Sequence, residues 1–180
     1  MAETETAVFS THINASKEAV WAEITRTDKP HDAFFHTVLH TTGLKPGATY
    51  QMRTPNGRYV FAQGEILEYE PPTHLKQTVR FVRYDDPPVT VTYSIDDAPE
   101  GGVTLVVTVE DIPSGTKTAD TWTGSGGAAW TCKTLKRIVE DGKAPVSIRA
   151  MYKFFDVFGS VLAPLSTPKR TRVEHWPMND

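Results

Sequence analysis

Nine large apolar or aromatic side chains, Phe34, Phe35, Tyr50, Met52, Phe61, Phe81, Tyr93, Trp122 and Trp130, recur through segments patterned as sheet and helix. With Leu67 they are candidates for the wall of a ligand cavity, since such sites are mostly apolar with a few polar atoms that fix orientation. Core packing is the competing reading for each, because large apolar side chains are buried with or without a ligand. Tyr50, Tyr93 and Trp130 stand out because each also presents a hydrogen-bonding group. His36 and Arg80 are the candidate polar residues of the same cavity. An imidazole suits proton transfer near neutral pH, and a guanidinium, at Arg80 or Arg83, can hold a carboxylate with two hydrogen bonds.

Other chemistries have weaker support. His36 and His40 are four residues apart, which on a helix places both rings on one face. They carry no zinc-type motif and no third ligand, and His31 would lie at an angle around the helix, so no metal is expected. Glu65, Glu68, Glu70, Glu110 and Asp111 include carboxylates on one side of a strand, but a solvated edge explains them as well. Gly124-Ser125-Gly126-Gly127 lacks the lysine and spacing of a phosphate-binding loop and reads as a hinge. Ser125 has no nucleophile-elbow context, and Cys132 has no histidine close in sequence. No cofactor is expected.

The elements that must position these residues follow from periodicity. A strand over 7–13 leads to Ser16, a helix cap, and a helix over 17–26 that Thr27-Asp28-Lys29-Pro30 stops. A second, shorter helix is predicted over 32–40. Strands are expected near 49–54, 59–69, 74–83, 89–96 and 103–110, separated by turn residues in the manner of an antiparallel meander. The alternation Val89, Val91, Tyr93, Ile95 against Thr90, Thr92, Ser94, Asp96 gives a dry and a wet face. Gly64 within the second of these strands suggests a bulge. A long helix then runs from Gly127 to Asp141-Gly142, with Trp130, Leu135, Ile138 and Val139 on one face. Met151, Phe154, Phe155, Phe158, Val161 and Leu162 predict a further amphipathic helix, ended by Ala163-Pro164 and followed by a basic tail, Lys169-Arg170-Thr171-Arg172.

Composition bounds the function. The 180 residues suit one domain; a net charge of −3 and 39% hydrophobic residues describe a globular protein and do not suggest a nucleic-acid binder. No secretory signal, no membrane-length apolar run and a single cysteine make the cytoplasm the expected compartment. A membrane role for the last helix is disfavoured against packing on its own domain or a dimer contact.

Three blocks carry a family resemblance. Ile13-x-Ala15-Ser16-x-Glu18-x-Val20-Trp21 is the first, and Gly64-Glu65-Ile66-Leu67-Glu68-Tyr69-Glu70-Pro71-Pro72-x-x-Leu75 is the second. Thr92-Tyr93-x-Ile95, with Gly102-Val103-Thr104-Leu105 and Trp130-x-x-x-x-Leu135-Lys136-x-x-x-Glu140-x-Gly142, completes the set. Together they resemble the START-like (SRPBCC) superfamily, in its branch of heat-shock-protein-90 ATPase activator homologues. The resemblance spans about residues 7–142. It implies an α+β helix-grip fold, a curved antiparallel sheet wrapped around a long C-terminal helix with a cavity between them; the additional amphipathic C-terminal helix is not part of that core. Related folds bind lipids, polyketides, hormones or other apolar molecules there, and some are cyclases or hydrolases. The eukaryotic activator has a further N-terminal domain, whereas about six residues precede the first strand here, so ATPase activation is not expected.

The expectation is a START-like domain over 1–142 and a helical extension and tail over 143–180. The preferred function is binding of a small hydrophobic or amphipathic molecule in the cavity. A cyclase, hydrolase or isomerase using His36, Tyr93 or Arg80, and a dimerising or partner-binding module, are the alternatives. The expected partners are a small hydrophobic ligand and no nucleic acid, with the chain a monomer or homodimer.

Overall fold

The Ser16 side chain accepts a hydrogen bond from the Ala19 backbone N–H at 3.2 Å, and Glu18 sits in the first turn, so helix α1 (Lys17–Thr25) begins where its orphan N–H groups find a partner. The computed structural model describes residues 3–124, 127–154 and 169–178. Strand β1 (Thr4–Ile13) precedes α1, and β2 (Val38–Thr41), β3 (Thr49–Arg53), β4 (Val60–Glu70), β5 (His74–Phe81), β6 (Val89–Asp97) and β7 (Val103–Pro113) follow. Helices α2 (Lys117–Thr123) and α3 (Ala128–Asp141) come next, then two short 3-10 turns, Lys169–Thr171 and Val173–His175.

The strands form one antiparallel sheet in the order β1-β7-β6-β5-β4-β3-β2. Along β6 and β7 the predicted alternation sets the register: Val91 faces Val109, Tyr93 faces Val107 and Ile95 faces Leu105, all buried. Each aliphatic side chain buried in this way contributes about 1.5–3 kcal/mol. Helix α3 packs over β1 and β7 beside α1 and α2, which makes the fold the helix grip that the sequence implied. Lys136 Nζ donates to the His12 carbonyl at 2.7 Å and to Glu140 Oε1 at 2.6 Å, while Glu140 accepts from the Asn14 backbone N–H at 2.7 Å. Two residues of the third resemblance block thus fasten the long helix to the β1–α1 junction. Gly142 ends α3 with φ 72°, a left-handed conformation that favours glycine.

Three local expectations change. Residues 32–40 are not helical: a tight loop over 31–37 leads into β2, which pairs with β3. His31 N–H donates to the Thr37 carbonyl at 2.8 Å and His36 N–H to the His31 carbonyl at 2.9 Å, and Phe35 and His36 take φ values of 58° and 57°. The β-branched residues Thr37, Val38, Thr41 and Thr42 favour this extended exit over a helix. The register of β4 shifts at Ile66–Glu68 against β5 and at Val60–Ala62 against β3, and not at Gly64. Leu67, at the first of these shifts, is turned outward and 37% exposed.

The extension after α3 is partly described. Residues 146–154 are helical; Tyr152 is its buried side chain, and Ile148 packs against the core, whereas Met151 and Phe154 are exposed. Phe155, Phe158, Val161, Leu162 and Ala163-Pro164 of the predicted amphipathic stripe lie outside the described residues, as do Ser125 and Gly126 of the hinge. Residues 169–178 lie back on the outer face of the sheet. Arg172 bridges to Tyr59, Val173 N–H donates to the Arg58 carbonyl, and Gln51 Nε2 donates to the Trp176 carbonyl at 2.7 Å. The Arg170 guanidinium makes paired bonds to Asp85 at 2.7 and 2.8 Å.

Candidate functional site

Between the inner face of the sheet and the helices lies an apolar cavity of about 90 Å³. Strands β2 to β7 contribute, mostly by parity. Leu75, Gln77, Val79 and Phe81 alternate inward along β5, Tyr50 and Met52 do so on β3, and Tyr93 and Val107 come from β6 and β7. The loop over 31–37 brings Phe34, Phe35 and Thr37, α1 brings Ile24 and Thr25, and Trp122 of α2 and Thr131 of α3 complete the helical side.

The aromatic candidates are joined into one array. Phe35 lies 4.9 Å from Phe61 and stacks at 5.6 Å on Trp130; Phe61 meets Phe81 edge-on at 5.5 Å, and Phe81 meets Trp122 at 5.6 Å. Phe34, Phe35, Tyr50, Met52, Phe61, Phe81, Tyr93 and Trp122 all line the cavity. Trp130 stands behind Phe35 and does not itself line it.

The two polar candidates lie elsewhere. His36 Nδ1 is 2.7 Å from Asp32 Oδ1, and its ring stacks on Tyr152 at 4.5 Å. Its left-handed backbone turns it away from the inner face, and His40, on β2, shares no helix face with it. Arg80 falls between Val79 and Phe81 in the β5 alternation, so it points to the outer face, where it lies over the Trp176 ring at 5.6 Å. Among the described residues no group of three or more histidine, cysteine or acidic side chains is disposed to hold a metal ion.

The polar groups of the cavity wall differ in what they have left to offer. Thr25 Oγ1 donates to the Trp21 carbonyl at 2.8 Å, Thr37 Oγ1 to the Phe34 carbonyl at 2.7 Å, and Tyr50 O–H to the Thr78 carbonyl at 2.7 Å. Tyr93 O–H, the Gln77 amide and Thr131 O–H make no side-chain hydrogen bond among the described residues, and the Trp122 Nε1–H is buried without a partner. Burial holds the Tyr93 phenol well above its usual range, so it is a neutral donor. Burial also pushes the Cys132 thiol up to about 11, opposite to the shift that activates a nucleophile. Sequence reasoning missed Gln77 and Thr131. The parity of Gln77 with Leu75, Val79 and Phe81 was the available signal; for Thr131, one helix residue among several, no sequence signal distinguished it.

The family model for Activator of Hsp90 ATPase homolog 1-like protein matches residues 14–140. The chain belongs to that family. The matched span contains the first resemblance block from Asn14 onward, the second whole and the third as far as Glu140, together with the cavity-lining strands and all of α3 but Asp141. No curated protein matches the sequence. Among solved structures, the Aha1 dimer from Colwellia psychrerythraea is 15% identical with a TM-score of 0.61, covering 78% of this chain and 99% of its own. An HSP90 activator from Plasmodium falciparum is 18% identical with a TM-score of 0.55, covering 78% and 97%. CalU16 from Micromonospora echinospora is 17% identical with a TM-score of 0.58, covering 92% and 91%. These family and structural neighbours share the fold. No helix among the described residues is long and apolar enough to cross a membrane.

Proposed function

We propose that this member of the family binds a small apolar molecule in the cavity between its sheet and helices. The observation that carries the reading is a cavity walled by aromatic and aliphatic side chains, with the buried Trp122 Nε1–H left unpaired in that wall among the described residues. An unpaired polar group in an apolar interior is costly, and a guest that accepts its hydrogen bond relieves that cost. At about 90 Å³ the cavity is smaller than the roughly 150 Å³ space that takes up benzene in an engineered protein, so a ring-sized guest requires a wall to move. Phe35 is the residue placed to do so: it sits in a loop held in left-handed backbone conformations and covers the space between Phe61 and Trp130. The assigned ligand residues are Phe34, Phe35, Tyr50, Met52, Phe61, Phe81, Tyr93 and Trp122, with Trp130 supporting Phe35.

Titration with the neutral fluorescent probe N-phenyl-1-naphthylamine tests this reading, together with native mass spectrometry of protein purified from cells. Saturable one-to-one binding that Phe81→Trp weakens by narrowing the cavity is the expected result. A protein that takes up neither this probe nor any cellular small molecule has a closed core and no ligand site.

For assembly, a homodimer is the second reading. Val146, 76% exposed, and Met151, 42% exposed, leave apolar surface on the helix over 146–154. Light scattering over a concentration series distinguishes it from a monomer. The single buried cysteine, Cys132, suits a reducing cytoplasm, the compartment we assign.

A further inference from the structure

We infer that the molecule this cavity accepts is uncharged and carries an oxygen acceptor that the Tyr93 hydroxyl and the Gln77 amide hold. The inference rests on the cavity being a ligand site and narrows what can occupy it.

The first argument is the absence of charge in the wall. Of the residues that line the cavity, none is an aspartate, glutamate, lysine, arginine or histidine. His36 and Arg80, the side chains able to neutralise or relay a charge, are committed to Asp32 and Tyr152 on one side and to the outer sheet face on the other. A carboxylate or ammonium entering this space would lose its hydration and gain no counter-charge, which excludes ionic amphiphiles by a large factor.

The second argument is which polar groups remain. Tyr50 O–H, Thr25 and Thr37 are already bonded to backbone carbonyls, so they fix the wall and not the guest. Tyr93 O–H has no acceptor among the described residues, although Tyr93 is only 5% exposed. Tyr93 pairs with Leu75 across the β5–β6 ladder and Val91 pairs with Gln77, so Gln77 is the diagonal neighbour of Tyr93 on the same face. Diagonal positions lie about 7–8 Å apart, within reach of two long side chains converging on one atom between them. A carbonyl oxygen can take one hydrogen bond from the phenol and one from the amide, and the remainder of the guest meets the aromatic array. A pure hydrocarbon leaves both donors unpaired.

Three molecules of nearly equal size separate the possibilities: acetophenone, α-methylstyrene, in which the carbonyl oxygen is replaced by CH2, and benzoate. Dissociation constants for the full chain are measured by calorimetry at pH 7.5, where benzoate is ionised. Acetophenone is expected to bind and benzoate to bind at least about 100-fold more weakly. In Tyr93→Phe the affinity ratio of acetophenone to α-methylstyrene should fall about tenfold, the worth of one hydrogen bond. Gln77→Leu should lower the same ratio, and it serves as the second variant. Benzoate binding as tightly as acetophenone, or a ratio unchanged in both variants, overturns the inference while leaving the cavity a ligand site. Failure of both neutral molecules to bind a protein that takes up N-phenyl-1-naphthylamine overturns the inference alone, and failure with that probe and with cellular small molecules overturns the proposed function as well.

Discussion

The Tyr50 hydroxyl donates to the Thr78 carbonyl oxygen at 2.7 Å, spanning β4 to join β3 to β5. It can do so because the residue directly opposite Tyr50 on β4 is Gly64. A β-carbon there would lie 1.8 Å from the Thr78 oxygen and 3.0 Å from the Tyr50 ring. The bare glycine backbone is what the ring covers, and three adjacent strands are drawn together at the cavity wall.

Gly64→Ala is therefore expected to cost about 3 kcal/mol of unfolding free energy, because the clash is with backbone that cannot move aside. Tyr50→Phe, which deletes only the hydroxyl and leaves the Thr78 carbonyl short of a partner, should cost about 1 kcal/mol. Equilibrium urea unfolding measures both, and a Gly64→Ala protein as stable as the parent would refute the close approach.

Phe35→Ala should speed entry of N-phenyl-1-naphthylamine in stopped-flow fluorescence, since the half-buried ring between Phe61 and Trp130 is the movable part of the wall. The same change should lower stability by about 2 kcal/mol, less than for a fully buried phenylalanine. An unchanged association rate would mean that the guest enters elsewhere.

His31 makes stability depend on pH. It is fully buried, and its Nε2–H donates to the Arg26 carbonyl at 2.6 Å. Burial lowers its pKa from 6.5 to about 4, against a smaller upward pull from that hydrogen bond. Between these values the unfolded chain takes up a proton that the folded chain does not, so stability falls as pH drops from 6.5 towards 4. His31→Gln keeps an N–H donor without the titration. The loss of unfolding free energy between pH 7 and pH 4 should be smaller in this variant by about 3 kcal/mol.

The tail over 169–178 is held by its own set of bonds, with Trp176 Nε1–H donating to the Arg170 carbonyl and Arg80 lying over the Trp176 ring. Trp176→Ala should release it, seen as faster tryptic cleavage at Lys169, Arg170 and Arg172. Our proposed boundary near Gly142 makes a further prediction: a chain ending there keeps its far-ultraviolet circular dichroism but melts at a lower temperature, having lost the buried Ala144 and Tyr152 and the bond from Gln51 to the Trp176 carbonyl. Equal melting temperatures would show that the extension contributes nothing to the fold.

Much of the fold was legible in local pattern. A period of two names the face of a strand directly, so Val89, Val91, Tyr93 and Ile95 are legible as the inward face. Ser16 and Gly142 mark helix ends because capping and left-handed backbone are local needs. The stretch over 32–40 was misread for a related reason. Its backbone is fixed by bonds from His31 to Thr37 and from His36 to His31, together with pairing of β2 to β3, and helix periodicity cannot register a loop closed in that way.

What the sequence determined by itself is the order of strands and helices and the set of aromatics that fill the interior, since both follow from periodicity and burial preference, while the helix-grip arrangement of those elements was implied by the resemblance its three blocks carry. Which polar groups face the cavity was decided only by tertiary structure. Arg80 differs by one residue from inward-facing Val79 and Phe81, His36 is turned aside by a left-handed loop, and Gln77 becomes a wall residue because pairing of β5 with β6 sets its face beside Val91 and Tyr93. Each outcome depends on partners far away in the chain, Trp176, Tyr152 and Val91, and a linear pattern does not carry those distances.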